Sequence, residues 1–192
     1  MTCIVGFVDK NKDIYLGGDS AGTSGHNLDV RKDVKVWKKG EMVFGYTSSF
    51  RMGQLLRFKL DIPDQPKKMN DYEFMCTLFI DRVIRCLRNN GYAKINNNVE
   101  EIGEFLVGYK AKIYHIYSDC QVGINEYKYD SCGCGRNYAM GSLATNDSKS
   151  AKEIVLKALE IAEKFSTSVR RPFKIIKLKY EGGDEGGNRK IK

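Results

Sequence analysis

The stretch Thr2-Cys3-Ile4-Val5-Gly6-Phe7-Val8, followed by Ile14-Tyr15-Leu16-Gly17-Gly18, decides the fold of this chain. Both runs are apolar at successive positions, which is typical of strands that are covered on both faces. The polar residues 9–13 between them predict a hairpin turn. The sequence therefore predicts two central, antiparallel strands, and the first of them begins at Thr2.

Thr2 has a second property besides its preference for strands. If Met1 is removed, Thr2 carries both a hydroxyl nucleophile and a free α-amine, and the amine can take up the hydroxyl proton. The ordinary pKa of an α-amine, about 7.7–8.0, leaves a neutral fraction near pH 7. Threonine is also a common strand residue, so its position alone leaves both interpretations open.

The hairpin is expected to place a carboxylate beside Thr2. A two-residue turn at 10–11 pairs Thr2 with Asp19, and a turn at 11–12 pairs Ile4 with Asp19. In either register Thr2 and Asp19 lie on one face, because side chains alternate along a strand with a period of two.

Lys35 is a candidate partner for Asp19. Residues 33–37 (Asp-Val-Lys-Val-Trp) predict a strand in which Lys35 lies between two valines. Lys35 can lie on a solvated face, as charged residues of alternating strands usually do. Alternatively, it forms an ion pair with Asp19 under Thr2, where its ammonium stabilises an alkoxide or receives its proton.

Together these segments resemble the opening of proteasome-type β subunits and of the peptidase subunit of the bacterial ATP-dependent two-component protease, which are N-terminal nucleophile hydrolases. The matching residues are Thr2-Cys3-Ile4-Val5-Gly6, Gly18-Asp19-Ser20 and Lys35. By element order the resemblance covers most of residues 2–178, with one extra residue in the first hairpin. Residues 50–57 also resemble a branch of small proteasome-like proteins from bacteriophages and some bacteria.

The resemblance implies an α+β fold, a four-layer αββα sandwich with two antiparallel sheets between helical layers, over a single domain at residues 1–180. It implies that Thr2 is the nucleophile of a threonine-type peptidase and that Asp19 and Lys35 support it. Backbone amides near Thr47 would form the oxyanion hole. It further implies a polypeptide substrate and a homo-oligomeric ring, and leaves open whether an ATPase unfoldase is a partner.

The chain departs from the family pattern at two places. Where the family has Gly-Ser-Gly, this chain has Gly133-Cys134-Gly135, so the Cys134 thiol is expected near the amine of the nucleophile. The acidic residue that the family has before Ser-Gly is missing from residues 164–168. These departures favour an alternative, a structural or assembly protein that has lost the chemistry, whereas the retained Thr2, Asp19 and Lys35 oppose it. A ligase is a further alternative, since an amine can replace water in attacking the acyl-enzyme.

The rest of the chain predicts alternating helices and strands, which end in a flexible tail. Helices are expected from Ser48-Ser49, from Asn70-Asp71, from Arg136 and after Ser150, and strands at 42–46, 105–109, 112–117, 121–127 and 172–178, with the tail at 181–192. The chain has 192 residues, of which 42% are hydrophobic, enough for one domain core.

Composition argues against several other classes of protein. No stretch approaches the ~20 apolar residues of a membrane span, and no leader segment is recognisable, so a cytoplasmic protein without membrane attachment is expected. The net charge of +8 comes from scattered Lys and Arg, so nucleic acid is not predicted as a partner.

The six cysteines do not have the pattern of a disulfide framework. Cys120, Cys132 and Cys134 with His115 lack the second paired-ligand motif of a zinc site, so neither a metal nor another cofactor is predicted. A nucleophilic Cys134 would need a nearby base, and the sequence does not place His26 or His115.

Overall fold

The structure, a computed structural model, describes residues 2–96, 99–148 and 150–182. Its strands are β1 (Ile4–Val8), β2 (Ile14–Gly18), β3 (Ala21–Ser24), β4 (Asn27–Val30), β5 (Val36–Lys39), β6 (Met42–Tyr46), β7 (Lys94–Asn96), β8 (Val99–Glu101), β9 (Phe105–Tyr109), β10 (Lys112–Ile116), β11 (Val122–Ile124), β12 (Tyr129–Cys132) and β13 (Lys174–Leu178). Its helices are α1 (Phe50–Phe58), α2 (Asp71–Phe74), α3 (Ile80–Asn89), α4 (Arg136–Thr145) and α5 (Ala151–Phe165), with a π-helical turn, Met75–Phe79, between α2 and α3.

Two antiparallel sheets form the middle layers of a four-layer αββα sandwich. One sheet has the strand order β12-β1-β2-β13, and the other has the order β11-β10-β9-β6-β5. Helices α4 and α5 cover the four-stranded sheet, and α1 to α3 cover the five-stranded sheet. The predicted fold class is therefore confirmed.

Strand β1 is apolar on both faces because both faces pack against other elements. Ile4 packs between the two sheets with Leu16 and Val36. Its neighbour Val5 points to the other face and packs against α5, where it meets Val155. Since alternate residues of a strand face opposite sides, a central strand of a four-layer sandwich needs apolar residues on both.

The β1–β2 turn differs from the prediction. The turn has three residues rather than two, and Ile4 lies opposite Gly18. Lys12 has a left-handed φ of 65°, as is usual at the third position of such a turn. This register places Asp19 next to Cys3 rather than opposite Thr2 or Ile4, so the argument that the pleat puts Thr2 and Asp19 on one face is wrong.

Capping hydrogen bonds confirm most of the predicted helix starts. The side chains of Ser49, Asn70 and Ser150 each accept a hydrogen bond from a backbone N–H in the first turn of their helix. The strand predicted at 33–37 begins later, at Val36. The sequence did not predict β12, which pairs with β1 and forms one edge of the four-stranded sheet.

Of the predicted tail at 181–192, only residues 181 and 182 lie within the described residues. Among the helices that the structure describes, none is both long enough and apolar enough to cross a membrane.

Alanine substitutions at two glycines test how closely the two sheets pack. A Cβ at Gly45 of β6 would lie 2.5 Å from Ile4 Cγ2 and 3.0 Å from Leu16 Cδ2, whereas one at Gly141 of α4 would meet no atom within 4 Å. We expect Gly45→Ala to lower the free energy of unfolding by about 1–3 kcal/mol through overpacking. Gly141→Ala, the matched control, should raise it by about 0.5–1 kcal/mol, because alanine favours helix. Urea unfolding measures both, and a Gly45→Ala variant as stable as the wild type would contradict the packing described here.

Candidate active site

Thr2 lies at one end of the sandwich, where several strands begin or end. It lies two residues before the start of β1 and is only 3% exposed. Asp19 follows β2, Lys35 precedes β5, and Thr47 follows β6. Antiparallel pairing brings these strand ends together at the same end of the sandwich. Thr2, Asp19 and Lys35 are called the Thr2 site below.

The Lys35 ammonium is the centre of the Thr2 site. Its Nζ donates to Thr2 Oγ1 at 2.8 Å, to Asp19 Oδ1 at 2.8 Å and to the carbonyl of Ala21 at 2.6 Å. An ammonium has three donors, so all three are used. Lys35 is 1% exposed, which shows that the alternative of a solvated lysine is wrong.

Asp19 reaches the Thr2 site through backbone hydrogen bonds rather than through strand register. Its Oδ1 accepts from the N–H of Cys3 at 3.1 Å, and its Oδ2 accepts from the N–H groups of Ala21 at 2.9 Å and Arg170 at 3.2 Å. Together with Lys35 these donors fully satisfy a buried carboxylate, as a buried charge requires. The sequence did not predict the contribution of Arg170, because any residue type can supply a backbone amide.

The surroundings of Lys35 change its proton affinity. Burial lowers the pKa of Lys35 below its ordinary value, although the charge and hydrogen bond of Asp19 oppose this shift. A lysine with a lowered pKa gives up its proton more readily than a solvated one. Lys35 is therefore suited to share a proton with the adjacent hydroxyl of Thr2.

The turn after β6 carries the predicted position Thr47, which is 4% exposed. The Thr47 N–H already donates to the carbonyl of Glu104 at 3.1 Å. The next residue, Ser48, has a left-handed φ of 63°, and its N–H makes no hydrogen bond within the described part of the chain. The N–H of this turn that can still donate a hydrogen bond to a ligand is therefore that of Ser48, one residue beyond Thr47.

The Gly133-Cys134-Gly135 loop forms a second wall of the Thr2 site. The Gly135 N–H donates to the carbonyl of Thr2 at 3.2 Å. Gly133 has a φ of 90°, and a Cβ there would lie 2.3 Å from the same carbonyl oxygen, so this position requires glycine. The Cys134 thiol between them is exposed and makes no hydrogen bond to another described residue.

Burial keeps the two buried thiols at this end in their protonated form. Burial raises the pKa of Cys3 to about 12 and that of Cys132 well above its ordinary value, so both remain protonated at neutral pH. His115, considered with the cysteines as a metal ligand, instead contacts two carboxylates. Its Nδ1 lies 3.1 Å from Asp130 Oδ2, and its Nε2 lies 2.8 Å from Glu104 Oε1.

The segment that lacks the family's acidic residue lies close to Asp19. Ser168 is buried, and its N–H donates to Ser166 Oγ at 3.4 Å. Two residues later, the Arg170 carbonyl accepts from the Ser20 N–H at 2.8 Å, which ties this segment to the end of β2. The backbone just after this segment thus helps to hold Asp19, through the N–H of Arg170.

Comparison with known proteins gives structural matches alone. No protein-family model matches the sequence, and no curated protein matches it. One similar solved structure is Thiobacillus denitrificans BPH in complex with epoxomicin, with a TM-score of 0.76 and 16% sequence identity over 93% of this chain and 100% of that chain. Another is eukaryotic HslV from Trypanosoma brucei, with a TM-score of 0.65 and 17% identity over 92% of this chain and 99% of that chain. A third is Anbu, an ancestral beta-subunit, from Yersinia bercovieri, with a TM-score of 0.62 and 15% identity over 92% of this chain and 81% of that chain. At such identities the similarity establishes the fold, and this chain has the proteasome β-subunit-like fold of the N-terminal nucleophile hydrolases.

Proposed function

We propose that this protein is a threonine-type peptidase whose nucleophile is Thr2, made N-terminal by removal of Met1. The observation that carries the proposal is the buried contact of 2.8 Å between Lys35 Nζ and Thr2 Oγ1, with Asp19 holding the same ammonium. A positive charge beside a hydroxyl in a site shielded from water favours the alkoxide, which is the reactive form.

In the first step Thr2 Oγ1 attacks the carbonyl carbon of a peptide bond. The hydroxyl proton passes to the α-amine of Thr2, directly or through a water molecule. Lys35 stabilises the developing negative charge on Oγ1. The oxyanion of the tetrahedral intermediate accepts a hydrogen bond from the Ser48 N–H. When the carbon–nitrogen bond breaks, the leaving amine takes the proton from the α-ammonium, and an ester to Thr2 remains.

In the second step water attacks this ester, with the α-amine as general base, and Thr2 is regenerated. If the amine of another peptide attacks instead, the same ester gives a ligation product, which mass spectrometry of the products distinguishes. The proposed substrate is a polypeptide. We also propose that the chain assembles into a homo-oligomeric ring, as its similarity to proteasome-type subunits implies.

The role of the Lys35 charge can be tested by replacing it with a side chain of similar length. We expect Lys35→Met to lower kcat about 100- to 1,000-fold, equivalent to about 2.7–4 kcal/mol, the usual cost of removing one preorganised stabilising group. Lys39→Met is the matched control and should keep activity, because Lys39 lies at the other end of β5 from Lys35 and donates to the carbonyl of Arg57. Cleavage of fluorogenic peptides measures kcat, and circular dichroism checks folding. Wild-type turnover in folded Lys35→Met would refute the mechanism.

The proposed nucleophile predicts a specific covalent adduct. An epoxyketone needs both a hydroxyl and an α-amine on one residue, so we expect one adduct per chain, at Thr2 of a protein that lacks Met1. Intact-mass and peptide mass spectrometry locate the label, and Thr2→Ala should abolish it. Retention of Met1 in active material, or a label at Cys134 or Cys3, would show that Thr2 is not the nucleophile.

Replacement of Cys134 separates the thiol from the threonine mechanism. Cys134→Ser restores the hydroxyl that the family has in this loop and changes little volume. Since the thiol is exposed and makes no hydrogen bond with the residues that the structure describes, we expect less than a threefold change in kcat, on the order of 0.6 kcal/mol or less. An inactive Cys134→Ser beside an active Lys35→Met would assign the chemistry to the thiol.

A further inference from the structure

A cluster of charged side chains around the buried His115 lies close to the Thr2 site, and no step of the proposed mechanism uses it. His115 of β10 is 1% exposed, and its ring nitrogens lie 3.1 Å from Asp130 Oδ2 and 2.8 Å from Glu104 Oε1. Arg136 Nη2 lies 3.7 Å from Asp130 Oδ1. The imidazole also stacks on Tyr117, with ring centroids 4.1 Å apart. His115, Glu104, Asp130 and Arg136 are called the His115 cluster below.

Glu104 joins the His115 cluster to the turn that follows β6. Its carbonyl accepts from the Thr47 N–H at 3.1 Å, and its own N–H donates to Ser48 Oγ at 3.0 Å. Both backbone atoms of Glu104 therefore hold the Thr47-Ser48 turn. Since His115 holds the side chain of the same residue, it restricts the position of the turn.

Asp130 and Arg136 join the His115 cluster to the other wall of the Thr2 site. Asp130 lies on β12, and Arg136 is the first residue of α4. Between them is the loop in which Gly135 donates to the Thr2 carbonyl. A Cβ at Gly133 would lie 3.0 Å from Thr47 Oγ1, so the two walls touch each other. The cluster thus connects the two backbone segments on either side of Thr2.

The contacts of His115 require a defined protonation state. An imidazolium donates through both ring nitrogens, whereas a neutral imidazole donates through only one, and its other nitrogen then faces a carboxylate oxygen. Burial lowers the pKa of His115, but the hydrogen bonds and charges of Asp130 and Glu104 outweigh this effect, and the net pKa lies above its ordinary value. The stabilisation is therefore complete below the ordinary pKa of about 6.5 and is lost as the pH rises through the raised, folded-state pKa.

The other ionisable groups around His115 do not reverse this loss of stabilisation with rising pH. Arg136 opposes the imidazolium, but it lies on the far side of Asp130, whose carboxylate intervenes. Burial raises the pKa values of Tyr117 and of Cys132, and both groups stay neutral through this pH range. The residue paired with His115 on β11 is Gly123, which has no ionisable side chain.

We propose that His115 is a positioning residue: its imidazolium, held between Asp130 and Glu104, fixes the Thr47-Ser48 turn whose free amide faces the reacting carbonyl. This inference rests on the proposed peptidase function for the role of the turn. When His115 loses a proton, Glu104 is released first, because its side chain is 29% exposed and water can solvate it, whereas that of Asp130 is 4% exposed. Turnover then falls on the alkaline side with the pKa of His115.

Glu104→Gln is the variant that tests this proposal, because it keeps the size of the side chain and an acceptor oxygen but removes one charge. We expect the pKa of His115 to fall by about one unit, as is usual when an adjacent opposite charge is lost. The alkaline limb of kcat should move to lower pH by the same amount, with little change in KM. His115→Gln should abolish that limb. NMR of labelled imidazoles measures the pKa directly, since the chain has two histidines.

Glu100→Gln is the matched control. Glu100 lies on β8 and pairs with Arg88, with Arg88 Nε 3.0 Å from Glu100 Oε1, outside the His115 cluster. The control removes the same charge and should leave both the pKa of His115 and the pH profile unchanged. A fall in the pKa of His115 in Glu104→Gln without movement of the alkaline limb would overturn the positioning role and leave the peptidase proposal intact. An unchanged pKa would overturn it as well.

If the wild type has no peptidase activity, the proposed function fails, and hydrogen exchange decides the positioning of the turn. Amides in peptides that span residues 45–50 should exchange several-fold faster in Glu104→Gln than in Glu100→Gln at pH 6.5. Equal exchange in the two variants would show that the His115 cluster does not hold the turn.

Discussion

The arrangement of the whole Thr2 site depends on the burial of one ammonium group, that of Lys35. Removing an ion from water costs several kcal/mol unless other groups satisfy it. Here one carboxylate, one hydroxyl and one carbonyl use its three hydrogens, and backbone amides satisfy the carboxylate in turn. The segments at 2–3, 19–21 and 170 must therefore meet around Lys35. A buried ion pair seldom stabilises a fold more than apolar residues of similar size would, so its presence under the Thr2 hydroxyl supports a chemical role.

The four-layer architecture brings these segments together around Lys35. Between the sheets the packing is apolar over most of its extent, through residues such as Ile4, Leu16 and Leu106. At one end this layer gives way to polar groups, the Thr2 site and the His115 cluster. The Thr2 site and the His115 cluster therefore lie at the same end of an apolar sandwich, next to the ends of the strands.

Backbone atoms provide much of what surrounds Thr2. The carbonyl of Thr2 is held by the amide of Gly135, and the carboxylate of Asp19 by three N–H groups. Close approach at Gly133 and the left-handed conformation of Ser48 then shape the space beside the hydroxyl. These contacts come from backbone N–H groups, and neither the side chain at position 134 nor those of residues 164–168 supply them.

By itself the sequence predicted that the central strands are apolar on both faces, and it predicted the helix caps, because hydrophobic periodicity and capping chemistry are local properties. Thr2, Asp19 and Lys35 were singled out by their resemblance to a family motif, since the register predicted for Asp19 was wrong and the residues alone left the environment of Lys35 open. Only the tertiary structure decided that the first turn has three residues, that Lys35 is buried rather than solvated, and that the Ser48 N–H makes no hydrogen bond to another residue of the described chain. It also decided that His115 lies between Glu104 and Asp130, on three separate segments. The physical reason is that burial and backbone hydrogen bonding depend on which segments pack together, and a backbone amide has no residue type by which a sequence could reveal it.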